Sequence, residues 1–200
     1  LEACIALTGR KFPGRYSDDR TLKFDYFDLK GILEAWLEAM RIRNFRFRKA
    51  KNANFADDCC AELLLGGECA AILGRLSTRA MAPFKLKEEV FLAKIQMDRI
   101  FAKLPGGAAY SPVSLFPAIV RDLAFVADAG FEHQSFIEYV ASLKIRNLEK
   151  IEIFDVFTDK SLGEGRKSLA YSITYRDSSR TLTDAEVNAV HDKFRERLKN

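Results

Sequence analysis

Few side chains in this 200-residue chain could do chemistry, and none is spaced for catalysis. The run Gly163-Glu164-Gly165-Arg166-Lys167-Ser168 has the composition of a phosphate loop. Such a loop needs a glycine five positions before a Gly-Lys pair and a helix behind it, so that backbone amides point at the anion. Here Arg166 separates Gly165 from Lys167, position 160 is not glycine, and strand-like alternation follows. Nucleotide binding at this loop is therefore excluded. The only histidines, His133 and His191, have no partner at metal-ligand spacing and are expected in surface or packing roles. Asp57-Asp58 and Glu88-Glu89 are adjacent acids of the kind that face water. No Ser/His/Asp or Cys/His set can be assembled.

Cys4, Cys59, Cys60 and Cys69 form no C-x-x-C pair, and two of them are adjacent. They read as reduced, buried thiols, which places the protein in the cytoplasm. No apolar run approaches the roughly 20 residues needed to span a bilayer, so no membrane partner is expected. The chain opens on Leu1 in strand-like sequence without a basic region and apolar core. It reads as a piece of a longer protein with no signal peptide.

What remains is binding. Residues 1–107 carry 19 basic and 14 acidic side chains, and residues 108–200 carry 13 and 14. A tight non-specific nucleic-acid binder would be more basic, so an RNA contact in the second half must be local and shaped. The most basic stretch is Arg41–Lys51, where Phe45 and Phe47 alternate with Arg46 and Arg48. Such a stripe can hold RNA by charge and stacking. It can equally be a solvated strand with its phenylalanines turned inward.

These residues need elements to position them. Cys4–Thr8 reads as a strand, and Phe12–Thr21, with Pro13 and Gly14, as a loop. Leu29, Ile32, Leu33, Trp36, Leu37 and Met40 repeat at helical spacing behind Asp28, the expected cap. Ala61–Leu65 and Cys69–Leu73 flank Gly66-Gly67, a hairpin signal, with Gly74 expected to end the second strand. Ser77 is expected to cap a short helix ending near Pro83, and Val90–Met97 reads as a strand. Three Pro, two Gly and two Ser between Pro105 and Pro117 mark a domain boundary, placed between 107 and 108.

The second half alternates more clearly. Ile119–Ala127 reads as a strand. Ser135 and Glu138 are spaced as a capping box before a helix faced by Phe136, Ile137, Val140 and Leu143. Ile151–Thr158 is strand-like. Leu169, Tyr171, Ile173 and Tyr175 alternate with Ser168, Ala170, Ser172 and Thr174. Thr183 and Glu186 form a second box before Val187, Val190, Phe194 and Leu198. The order strand, helix, strand, strand, helix is that of a ferredoxin-like split β-α-β sandwich lacking its last strand. The overall class is α+β.

Three segments carry a resemblance: F-P-A-I-V-R-D-L-A-F-V at 116–126, F-D-V-F at 154–157, and L-G-E-G-R-K-S-L-A-Y through R-T-L-T-D-A-E-V at 162–187. Together they resemble the ferredoxin-like anticodon-binding domain that ends bacterial phenylalanyl-tRNA synthetase beta chains. L-T-G-R at 7–10, F-D-L-K-G at 27–31 and I-L-G-R-L at 72–76 look like the end of that chain's class II synthetase-like domain, which has lost its chemistry. The resemblance implies an inactive antiparallel-sheet part at 1–107 and an anticodon-binding part at 108–200. It implies phenylalanine tRNA and an alpha chain as partners, in an assembly of two alpha and two beta chains. It implies no cofactor in this segment, with ATP and magnesium used by the whole ligase at the alpha chain.

The resemblance also implies tRNA-contacting residues: Asp155, Phe157 and Ser168, with Lys167 and Arg121 nearby. Phe157 stands where the family has tyrosine, so stacking on a base is kept and a phenolic hydrogen bond is lost. Strict alternation puts Ile151 and Ile153 on the same face as Asp155 and Phe157, unless a bulge intervenes. The competing expectation is a ferredoxin-like protein-interaction module with no RNA role.

Overall fold

The computed structural model describes residues 1–11, 22–107 and 114–198. The loop expected at 12–21 and the centre of the expected boundary, 108–113, lie outside the described residues. The chain divides into two compact units, Leu1–Ala109 and Tyr110–Asn200. Both are α+β with antiparallel sheets.

The first unit runs β1 (Glu2–Thr8), α1 (Tyr26–Ala39), β2 (Phe45–Lys49), β3 (Phe55–Leu65), β4 (Glu68–Leu76), α2 (Thr78–Met81), β5 (Val90–Gln96) and α3 (Met97–Phe101). Its sheet has the order β1-β5-β4-β3-β2. Helix α1 lays Leu29, Leu33 and Leu37, all fully buried, on a face built from Leu63, Leu65, Leu73, Phe91 and Ile95. Trp36 is only partly buried and flanks that cluster. The cap of α1 is Asp25, not Asp28. Asp25 accepts from the Asp28 amide at 2.9 Å, and Asp28 accepts from the Asp25 amide at 2.7 Å. This reciprocal box satisfies two amides that a helix leaves unpaired, and so starts the helix before Asp28.

Gly66 and Gly67 turn the β3–β4 hairpin with φ of +59° and +90°, the backbone a two-residue turn requires. Gly74 does not end β4, which continues through it to Leu76. It lies opposite Cys60, beside a register shift in β3. A Cβ at position 74 would sit 2.1 Å from the Cys59 carbonyl oxygen, so only glycine admits that approach. Ser77 caps α2 by accepting from the Ala80 amide at 3.2 Å. Helix α3 has no counterpart in the sequence expectations. Of the four thiols, Cys4 is exposed, against expectation, and Cys60 is buried. Burial pushes the Cys59, Cys60 and Cys69 thiols up, which keeps them protonated and unreactive.

The second unit runs β6 (Ile119–Asp128), α4 (His133–Ser142), β7 (Leu148–Phe157), β8 (Arg166–Tyr175) and α5 (Asp184–Leu198). Among the described residues the strand order is β6-β8-β7, the ferredoxin arrangement without the strand beyond β6. A groove of about 550 Å³, lined in part by Phe125, Phe131, Phe136 and Leu198, runs along the outer side of β6. Helix α4 starts two residues before Ser135, so the expected Ser135–Glu138 box does not form. Instead Gln134 donates to Glu138 at 3.2 Å. The Thr183–Glu186 box does form, with the Glu186 carboxylate accepting from the Thr183 amide at 2.9 Å. Arg180 and Thr183 together hold that carboxyl down to about 2.

The core of this unit joins Phe136, Val140, Val187 and Phe194 to Leu123, Leu169, Tyr171, Ile173 and Tyr175. Both histidines serve its buried tyrosines. His133 Nδ1 lies 3.1 Å from the Tyr171 hydroxyl, and His191 Nδ1 lies 3.1 Å from that of Tyr175. Among the described residues, no helix is long and apolar enough to cross a membrane.

Candidate nucleic-acid interface

Strand β8 sorts its side chains by parity. Leu169, Tyr171, Ile173 and Tyr175 are buried on the face that carries the helices. Ser168, Ala170, Ser172 and Thr174 form the spine of the other face. Across the ladder from them on β6 stand Val126, Ala124, Asp122 and Val120, all exposed. On β7, Glu152 stands opposite Ser172, and Lys150 opposite Thr174. The result is a shallow platform of small residues with polar groups at its margins.

Strand β7 would be expected to turn its isoleucines onto that platform. It does not, because its register shifts between Ile153 and Asp155. Ile151 faces Ile173 and Ile153 faces Tyr171, so both stay with the core. Phe154 is the extra residue of a β-bulge. Past it, Asp155 faces Ala170 and Phe157 faces Ser168. One inserted residue therefore moves the downstream half of the strand to the opposite parity. Asp155 and Phe157 share the platform with Ser168, and Phe157 is 51% exposed. Directly opposed residues have Cβ atoms about 4.5–5.5 Å apart, so a ring and a hydroxyl at these positions can meet one nucleotide.

Three of the five residues singled out in the sequence come together in this way, and two do not. Lys167 has the parity of Leu169. Its Nζ donates to the Phe131 carbonyl at 2.7 Å and ties β8 to the loop before α4. Arg121 has the parity of Leu123. Its Nε donates to Asn188 at 2.9 Å, and its guanidinium pairs with Asp184, both on α5. Both cations are spent on the helix side. The cation that does share the parity of Ser168 is Arg166, exposed and two residues away. The strict alternation of β8 was the signal that could have found it.

The platform can do three things chemically. An exposed ring can stack on an unpaired base, a carboxylate and a hydroxyl can read a base edge, and a guanidinium can meet a phosphate. It holds no histidine or cysteine. Among the described residues, no group of three or more His, Cys, Asp or Glu could hold a metal ion.

Comparison with known proteins agrees with this division. Residues 1–97 match the family described as phenylalanyl tRNA synthetase beta chain CLM domain. Residues 114–200 match the ferredoxin-fold anticodon binding domain. The phenylalanine–tRNA ligase beta subunit of Clostridium tetani is 34% identical over 177 residues, covering 88% of this chain and 22% of the relative. That of Symbiobacterium thermophilum is 33% identical over 196 residues, covering 98% and 22%. That of Fusobacterium nucleatum is 29% identical over 201 residues, covering 100% and 25%. This chain thus spans about a quarter of the length of the curated relatives it matches. With both units matched in the order they occur, the chain belongs to the phenylalanyl-tRNA synthetase beta-chain family.

Proposed function

We propose that this chain is part of a phenylalanine–tRNA ligase beta subunit whose second unit binds the anticodon region of phenylalanine tRNA on its open platform. The observation that carries this reading is the bulge at Phe154. Without it, Asp155 and Phe157 would compete with Ile151 and Ile153 for the core. With it, a ring, a carboxylate and the Ser168 hydroxyl share one exposed face. The ring stacks on a splayed base, Asp155 accepts from an amino group on a base edge, Ser168 adds a hydrogen bond, and Arg166 meets the backbone.

Aminoacylation itself lies elsewhere in this reading. ATP, magnesium and phenylalanine are handled by an alpha chain, in a cytoplasmic assembly of two alpha and two beta chains. The first unit, an inactive relative of class II synthetase domains, supports that assembly. The family matches favour this function over a ferredoxin-like interaction module without RNA.

The test compares two tRNAs on the assembled ligase carrying Asp155→Ala. Binding of phenylalanine tRNA should weaken, while the residual binding of a tRNA with an unrelated anticodon stays constant. Equal binding of phenylalanine tRNA by variant and parent would refute the assignment.

A further inference from the structure

Among the described residues, strand β2 is an edge of the first unit's sheet and pairs only with β3. From Arg41 to Lys51 the chain carries Arg41, Arg43, Arg46, Arg48, Lys49 and Lys51 and not one acid. All six are exposed. Arg48 is paired with Glu62 at 2.7 Å. Among the described residues, Arg41, Arg43, Lys49 and Lys51 make no ion pair. Charges commonly blunt an edge strand against aggregation. Six of one sign in eleven positions repel each other, and a polyanion relieves that repulsion.

The aromatic residues of the stripe decide what kind of contact is available. Phe45 and Phe47 turn inward and pack against the core cluster. Their rings meet edge-to-face with centroids 6.0 Å apart, and the Lys30 ammonium sits 4.8 Å above the Phe47 ring. No ring is left to stack on a base. What the strand offers is charge alone, and four of the six cations are arginines, whose planar fork suits phosphate oxygens.

We propose that Arg41–Lys51 is a second RNA-contacting surface, one that follows the phosphate backbone without reading sequence. It belongs to the other unit and works by different chemistry from the platform around Phe157. The choice of tRNA as the natural RNA rests on the function proposed above; the phosphate chemistry does not.

The experiment measures binding of this chain to bulk tRNA and to poly(U) from ~50 to ~200 mM salt. The variants are Arg41→Glu/Arg43→Glu/Lys49→Glu/Lys51→Glu, the same four positions changed to Gln, and Phe157→Ala. Each phosphate contact contributes about 0.7–0.9 to the slope of log affinity against log salt, so four contacts contribute about 3. Across that salt range the parent should lose about 50-fold in affinity from this strip alone, on either RNA. Both four-site variants should lose most of that dependence and bind at least about tenfold more weakly at the low-salt end. Their melting should match the parent, because the four side chains are exposed. An unchanged salt slope in the Gln variant overturns the proposal, even if Phe157→Ala weakens tRNA binding and so upholds the platform. Loss of alpha-chain association by the Gln variant, with RNA binding intact, also overturns it and assigns the strip to an acidic protein surface.

Discussion

Phe157 stands directly across from Ser168 in the ladder between β7 and β8, while its neighbour Val156 stands across from Leu169. The aromatic ring is thus held on the platform by backbone register, not by packing, and it is absent from the core cluster. Phe157→Ala should therefore leave the melting temperature nearly unchanged while weakening binding to the anticodon arm. Losing one base–aromatic stack costs about 1–3 kcal/mol, or roughly 5- to 150-fold in affinity. Phe157→Tyr should bind at least as well as the parent. Thermal melting and tRNA titration on the same two proteins check both statements.

Deletion of Phe154 should be tolerated. The residue is 59% exposed and, like Glu149 near the start of the strand, has no partner on β8. Without it, Ile153 and Asp155 become consecutive residues opposite Tyr171 and Ala170, the normal alternation of a strand. Fold and platform should persist, with less local twist. Deleting Glu152 instead would turn Ile151 out of the core. The measurement is a melting comparison of the two deletions, with the Glu152 deletion expected to be far less stable.

His191 gives the second unit a pH dependence. Burial, together with nearby Arg195, holds its imidazole below the ordinary value of 6.5. The unfolded chain therefore takes up the proton more readily than the folded one. Stability should be level above about pH 6.5 and fall as the pH drops below it. A second loss should follow at lower pH, between 4.5 and about 2, as Glu186 becomes protonated and releases Arg180 and Thr183. Denaturant melts from pH 8 to pH 3, repeated on His191→Gln and Glu186→Gln, should remove the first limb and shrink the second, to which Asp159 and Asp177 also contribute because hydrogen bonds from Ser161 and Ser179 hold their carboxyls below the ordinary value.

Tyr175→Phe tests the same buried pair from the other side. It strips the hydroxyl 3.1 Å from His191 Nδ1 and leaves a buried nitrogen without that partner. The cost should be about 1–3 kcal/mol. A double-mutant cycle with His191 should show the two effects to be strongly non-additive.

In the first unit, Gly74→Ala should destabilise by at least about 1–3 kcal/mol, because the added methyl meets backbone and not a movable side chain. An equally stable variant would contradict the close approach to Cys59.

Most of this architecture was legible in the sequence, because most of it is parity and punctuation. The alternation around Tyr171 located the core and the platform together. Gly66-Gly67 and the Thr183–Glu186 pair each sat where local backbone chemistry demands them. The pairing of Asp25 with Asp28 was misjudged by one turn, because either carboxylate can accept an amide proton and only the path of the chain decides which comes first. Ser135 and Glu138 had the right spacing, but the helix had already begun. The bulge at Phe154 leaves no side-chain signature; only the conflict between Ile153 and Asp155 hinted at it. Lys167 and Arg121 were drawn in by charge, although their parity with Leu169 and Leu123 already assigned them to the helix side.

The bulge also divides the labour of β7 in a way that bears on how such a surface can change over generations. In a regular strand, every second residue from Ile151 to Phe157 would answer to one environment, and a gain on the surface would be a loss inside. The extra residue cuts that dependence at a single peptide. Ile151 and Ile153 upstream of it answer to the interior and Asp155 and Phe157 downstream of it to the open face, so the two pairs can be selected separately within one strand.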